Sequence, residues 1–173
     1  MKTDNIEKYL NSFGKQVVNR AKGNLQKAGK GGNLENSITF KVVTEADGFS
    51  VQFYMDSYGT FVDKGVSGTK TKRTFKDYKS KTISSPYKYT TKQPPSRVLD
   101  KWIVKKGIAP RDEKGRFISR KSISFLIARS IKRNGIQGIS FFQKPLGLGL
   151  KQFGKDLLEN VKEDIIEGLT TVN

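Results

Sequence analysis

Ser37-Ile38-Thr39-Phe40-Lys41-Val42 and Phe49-Ser50-Val51-Gln52-Phe53-Tyr54-Met55 are the stretches that decide how this chain folds. In the first, Ile38, Phe40 and Val42 alternate with Ser37, Thr39 and Lys41; in the second, Phe49, Val51, Phe53 and Met55 repeat the alternation. Successive side chains of a strand point to opposite faces, so this period of two predicts two strands that are apolar on one side only. Asp47-Gly48 between them is a hairpin signal. A hairpin with a single apolar face needs cover from another element.

The cover is written on both sides of it. Ile6, Leu10, Phe13, Val17, Ala21, Leu25 and Ala28 recur at spacings of three and four, which predicts a helix over residues 4–28 with one apolar stripe. Asp4 and Glu7 are placed to cap its start, and Gly29-Lys30-Gly31-Gly32 ends it. At the far end, Leu150, Phe153, Leu157, Val161, Ile165 and Leu169 make a second stripe, with Lys151, Lys155, Asp156, Glu159, Lys162, Glu163 and Glu167 on the other faces. The expected fold is α+β: an antiparallel hairpin or small sheet packed against an N-terminal and a C-terminal helix. With 173 residues the chain reads as a single domain, residues 1–173.

Charge divides the chain differently. Between Lys64 and Arg133 there are 21 Lys and Arg against Asp77, Asp100, Asp112 and Glu113, a net of +17, while the remaining 12 basic and 12 acidic residues cancel. Such a segment seeks anionic surface, either phosphate or an acidic protein face. The chain has no His and no Cys, which excludes Ser–His and Cys–His catalysis, His/Cys zinc sites and disulfides. Carboxylate-held magnesium needs only oxygen ligands, but the acids are scattered, so no metal site, no cofactor and no enzymatic role is expected. No stretch approaches the roughly 20 apolar residues of a membrane span, and the polar N-terminus carries no apolar signal core. The expectation is a soluble intracellular product without membrane contact.

From Val66 to Pro95 the composition shifts to Ser, Thr, Lys, Gly and Tyr without clear periodicity. This reads as a basic, flexible arm over about 67–93, inserted in the domain as a long loop. Lys70, Lys72, Arg73, Lys76, Lys79 and Lys81 are interleaved there with Phe75, Tyr78, Tyr87 and Tyr89, and these ten are the candidate contact residues. Aromatics among basic residues suit tracking and stacking on nucleic acid, suit a protein interface equally, and also describe a solvated loop.

Before the arm, Tyr58, Phe61 and Val62 fit one helical turn on the sheet end, stopped by Gly65. Asp63-Lys64 reads as a surface pair. After the arm, Ser96 is an expected N-cap for a helix with Val98, Leu99, Trp102 and Ile103 on its apolar side, ended by Gly107. Trp102 reads as a core or interface plug. Residues 112–117 form a turn, and Ser119 caps a third helix on which Ile123, Leu126, Ile127 and Ile131 face inward while Arg120, Lys121, Arg129, Lys132 and Arg133 do not. Asn134-Gly135 stops it. Gly138 to Leu146 is extended, and Gly147-x-Gly149 lacks the third Gly and the preceding strand of a dinucleotide site.

Certain residues in this order carry a family resemblance. They are Ser37-Ile38 entering the first strand, Tyr58-Gly59-Thr60-Phe61-Val62-Asp63-Lys64-Gly65-Val66-Ser67-Gly68, Phe125 through Ile136, and Phe141-Phe142-Gln143-Lys144-Pro145-Leu146 before the last helix. With these the chain resembles the neck or tail-completion (head–tail joining) proteins of tailed bacteriophages. The family-like structural positions are Tyr58, Phe61, Val62, Asp63, Gly65, Phe141, Phe142 and Pro145. The resemblance implies a non-enzymatic virion protein, made in the host bacterial cytoplasm, that forms a homo-oligomeric ring. Its partners would be other head–tail connector, portal-side and tail proteins, with contact to genomic DNA in the channel. The competing reading of the charge is a basic nucleic-acid-binding protein, with a metal-dependent nuclease the enzyme alternative.

Overall fold

The computed structural model describes residues 4–45 and 48–170, and the fold is α+β as expected. In order it runs α1 (Asp4–Lys27), α2 (Asn33–Ser37), β1 (Thr39–Glu45), β2 (Gly48–Tyr54), α3 (Gly59–Lys64), β3 (Thr74–Lys76), β4 (Thr82–Ser84), α4 (Ser96–Lys105), α5 (Arg120–Asn134) and α6 (Gln143–Thr170). The described residues form two two-stranded sheets, β1–β2 and β3–β4. Among the described residues no helix is long and apolar enough to cross a membrane. Where the sequence suggests one domain with an arm, internal contacts divide the chain into two compact units. Unit 1 holds residues 1–63, 76–82 and 139–173; unit 2 holds 64–75 and 83–138. The stretch 67–93 is thus shared out between the units.

Unit 1 is the hairpin and its cover. β1 and β2 pair antiparallel from Thr39↔Tyr54 to Glu45↔Gly48, so Phe40 lies opposite Phe53 and Val42 opposite Val51 on one face. The hairpin's own side chains are only partly buried. The deepest positions are Val17, Ala21 and Leu25 of α1, Ile38 at the strand entrance and Phe141 before α6, each at most 1% exposed. Phe13, Phe40, Phe53, Met55, Val62, Ile139 and Leu146 pack around this cluster. Phe53 sits edge-on to Phe142 at 5.3 Å between ring centres, and Phe13 meets Phe153 at 5.1 Å.

α1 ends one residue earlier than its stripe predicts. The amide of Gly29 bonds to Gln26 O and that of Lys30 to Leu25 O, the paired bonds of a glycine-terminated helix, and Ala28 is exposed beyond them. α2 has no periodic signal in the sequence, yet it buries Leu34 at 3% exposure. Glycine in the first turns of α6 lets it approach two neighbours closely: a Cβ on Gly149 would collide with the Phe13 ring of α1, and one on Gly147 with the backbone carbonyl of Tyr78 between β3 and β4. Leu150, expected in the inner stripe, is 42% exposed. The side chains of Asp4, Val161, Glu163, Ile165, Glu167 and Leu169, and the whole of Asp47, lie outside the described residues.

Unit 2 is built on α4 packed against α5. Ile103 of α4 (1% exposed) and Ile123, Ser124 and Ala128 of α5 (6%, 2% and 0%) are the buried positions. Small Ser124 and Ala128 stand one turn apart and leave room for a close helix contact. Leu126 is 56% exposed, not inward as its spacing suggests. Ser119 caps α5 as expected, accepting the Ser122 amide at 3.2 Å, whereas α4 takes Pro95 as its N-cap and Ser96 is its first residue.

Phe141 is fully buried in the centre of unit 1. Phe141→Ala should lower the unfolding free energy by about 3–5 kcal/mol, measured by urea denaturation. An unchanged midpoint would show that the core lies elsewhere.

Candidate functional site

Five of the eight structural positions singled out in the sequence meet at one joint in unit 1, while Gly65 belongs to unit 2. Asp63 closes α3 and is 3% exposed, so the expected surface pair with Lys64 is not what the structure contains. Its Oδ1 accepts the Phe142 amide at 2.9 Å and the Gln143 amide at 3.5 Å, at the start of α6. Those amides have no carbonyl partner within the helix, and the positive end of its dipole favours a carboxylate there. The backbone adds to the joint: Ile139 N bonds Val62 O at 3.1 Å and Ser140 N bonds Asp63 O at 2.9 Å. Ser140 takes a left-handed φ of 50° and is buried, and its hydroxyl accepts the Lys76 amide at 3.1 Å. Val62, Asp63, Phe141, Phe142 and Pro145 are therefore brought together; Pro145 lies in the first turn of α6, where a missing N–H costs little. Tyr58 and Phe61 are each 44% exposed, and do not pack down as their spacing suggests.

The ten candidate contact residues separate. Lys76, Tyr78, Lys79 and Lys81 form the tip of the β3–β4 hairpin, which belongs to unit 1. The tip is fixed by the Asp77 amide on Lys81 O (2.9 Å), the Lys81 amide on Asp77 Oδ1 (2.8 Å) and the Tyr78 amide on Gln143 Oε1 (3.2 Å). Lys79 Nζ stands 5.5 Å over the Tyr78 ring. Phe75 is 6% exposed and is a packing residue, not a contact residue.

Lys70, Lys72, Arg73, Tyr87 and Tyr89 lie in unit 2, where the supposed arm is a hydrogen-bonded structure. Residues 67–70 run across the C-terminal end of α5 and bond its last carbonyls: Thr69 N to Lys132 O and Lys70 N to Arg133 O, both 2.9 Å. The guanidinium of Arg73 adds a bond to Asn134 O at 2.7 Å. Those carbonyls end a helix and have no partner inside it, so the loop completes the helix and the helix orders the loop. Gly135 permits this, with φ of 70° and no space for a Cβ beside the carbonyl of Val66. Val66 and Ile136 then exchange amide–carbonyl bonds at 2.8 Å, and the Ser67 amide donates to Tyr87 O while the Ser67 carbonyl accepts the Tyr89 amide, both at 2.8 Å.

Between these two strands of backbone is an open cleft of about 590 Å³, formed by residues 67–72 on one side and 84–90 on the other. Lys70, Lys72 and Lys88 are exposed on it, the hydroxyl residues Ser67, Thr69, Thr71, Ser84, Ser85 and Thr90 line it, and no carboxylate does. Burial raises the Tyr89 phenol above its ordinary value. Of these lining residues Lys70, Lys72 and Tyr89 are among the ten candidates, while Lys88 and the Ser/Thr residues are not; the density of hydroxyl residues over 66–95 is the signal that could have found the latter.

Unit 2 also holds nearly all of the net charge: 18 Lys and Arg against Asp100, Asp112 and Glu113, leaving +15 of the chain's +17. Two exposed ion pairs form inside it, Arg116–Asp112 at 3.0 Å and Arg120–Asp100 at 3.9 Å, and exposed pairs contribute little. The Asp112 carboxyl is held below the usual range chiefly by the Arg116 amide, so the 112–116 turn keeps this support until the pH falls through that lowered value. Apolar side chains stand open among the charges: Val98, Trp102 and Val104 on α4, and Phe125 and Leu126 on α5, are 44–66% exposed. Trp102 is therefore not a core plug. Among the described residues no three carboxylates group in a way that could hold a metal ion.

No protein-family model, no curated protein and no solved structure matches this chain.

The two-way role of Asp63 can be tested by graded substitution. Asp63→Ala leaves the Phe142 amide buried without a partner and should cost about 1–3 kcal/mol, while Asp63→Asn keeps an acceptor oxygen and should cost less. Equal losses for both in chemical denaturation would mean that the carboxylate's hydrogen bonds do not hold the joint.

Proposed function

We propose that this chain is a structural subunit of a tailed-bacteriophage neck, forming a ring that joins the DNA-filled head to the tail and doing no chemistry itself. The observation that carries the reading is the joint at Asp63. Two of the sequence stretches on which the resemblance rests, 58–68 and 141–146, contribute to it although about 80 residues separate them, as the Phe142 amide on Asp63 illustrates. They act there as a structural motif, which is the role the resemblance gives them.

The surface supports assembly as well. A closed ring of head-to-tail contacts needs two different complementary patches on each subunit. α5 supplies one candidate: Ser122, Phe125, Leu126, Arg129 and Arg133 follow helical spacing opposite the buried stripe, so two open apolar side chains are flanked by guanidinium groups. Exposed aromatics with Arg are the composition of interface cores. α6 supplies another surface, with Leu148 57% and Leu158 73% exposed. The proposed partners are copies of this chain, the portal-side connector and tail proteins, in the virion.

A phage lacking this protein should accumulate separate filled heads and finished tails in micrographs, and the wild-type protein supplied in the host should restore joining. Joined virions in its absence would overturn the reading. The double variant Phe125→Asp/Leu126→Asp changes only exposed positions, so it should melt like the wild type yet fail to form higher-order species in sedimentation velocity. Excision of residues 70–90 is a poorer test, because it would remove β3, β4 and the bonds that complete α5.

A further inference from the structure

The cleft of unit 2 has a chemistry that packing does not use, and the neck resemblance, which implies contact with genomic DNA only in general, assigns it no role. We propose that it binds the phosphodiester backbone of nucleic acid, without regard to sequence, through Lys70, Lys72 and Lys88. Its lining offers three ammonium groups and several hydroxyls, and no carboxylate to repel an anion. Lysine is a compact point charge with three donors, and Ser and Thr hydroxyls are common donors to phosphate oxygens.

Two of the lining hydroxyls serve the wall itself, Ser67 Oγ accepting the Arg73 amide at 3.0 Å and Ser85 Oγ donating to Gly65 O at 2.7 Å, which leaves the three lysines and the hydroxyls of Thr69, Thr71, Ser84 and Thr90 for a ligand. Backbone bonds fix both walls, from Ser67 to Tyr87 and Tyr89 and from Gly68 to Thr71, while the three lysine side chains are exposed. The cleft is therefore preorganised, and binding does not have to order a loop first. The surroundings have the same sign, since the whole unit carries +15, which would concentrate a polyanion near the cleft before contact.

The ligand is narrowed by what the cleft lacks. An acidic protein surface would bring apolar side chains with its carboxylates, and the open apolar residues of this unit, those on α4 and α5 together with Ile83, Phe117 and Ile136, are not among the residues that line the cleft, whose only ring-bearing lining residues are Pro86 and half-buried Tyr89. Base stacking needs an open aromatic face, which half-buried Tyr89 does not provide. Phosphate contact remains, and phosphate contacts position a strand without reading its sequence.

The test is fluorescence anisotropy of the full-length protein with a labelled duplex of about 20 base pairs, titrated between about 50 and 200 mM salt. The wild type should bind duplexes of unrelated sequence equally, with affinity falling steeply as salt rises. The variant K70Q/K72Q/K88Q should lose at least about tenfold in affinity at low salt, and its log–log salt slope should shrink by about 2–3, since each neutralised phosphate contributes about 0.9. The control K101Q/K105Q/K106Q removes the same charge from α4 and its C-cap residue and should change the slope less. The proposal fails if the duplex does not bind, if the two triple variants lose equally, or if polyglutamate of equal charge competes as well as unlabelled duplex. None of these results depends on the neck reading, which the phage lacking the protein tests separately.

Discussion

A buried carboxylate that finds its hydrogen bonds on a helix far along the chain is the constraint on which unit 1 depends. Asp63 is removed from water, which is costly for a charge unless its oxygens are satisfied. The Phe142 and Gln143 amides satisfy one oxygen, and they come from a helix start that needs an acceptor as much as Asp63 needs donors. Because the partner residues also place Phe141 and Phe142 in the apolar cluster, the same contact sets where α6 begins and what fills the space between α1 and the β1–β2 hairpin.

Unit 2 solves a comparable problem at the other end of a helix, without a buried carboxylate. The last carbonyls of α5 are taken by the amides of Thr69 and Lys70 and by the Arg73 guanidinium, so a segment with no regular periodicity of its own acquires a fixed path. This leaves a polar cleft on one part of the unit and exposed apolar side chains on α4 and α5. With 18 basic side chains against three acidic ones, self-repulsion works against this compact unit. Anions that collect on it would therefore stabilise it as well as bind it.

Much of the fold was legible in the sequence, because period-two and helical patterns report which face is buried. That holds for β1 and β2, for α1 as far as Leu25, for the Ser119 cap and for the glycine stops at Gly107 and Gly135. The misreadings share a cause. Asp63 looks like a surface acid beside Lys64 because its partners are 79 and 80 residues away, and no local pattern encodes them. Leu126, and Trp102 in the core half of its core-or-interface reading, look buried because they are apolar, yet the small residues Ser124 and Ala128 take the helix contact. Residues 66–95 look unstructured because their order comes from distant partners, the end of α5 for residues 69–73 and Gln143 for the β3–β4 turn, not from a repeat of their own. Of the candidate site, the lysines were legible as charge; the cleft that gathers three of them depends on tertiary pairing of Ser67 with Tyr87 and Tyr89.

The separation of Asp63 from Phe142 has a consequence for how the protein is made. When residue 63 leaves the ribosome, α1 and the β1–β2 hairpin are complete, but Phe141, Phe142 and the amides that Asp63 requires have not been synthesised. All of unit 2 is translated in that interval, so its helices can pair while unit 1 still exposes an apolar face. The nascent chain is thus most vulnerable to aggregation between these two moments, and closing the long loop makes the last step of unit 1 the slow one.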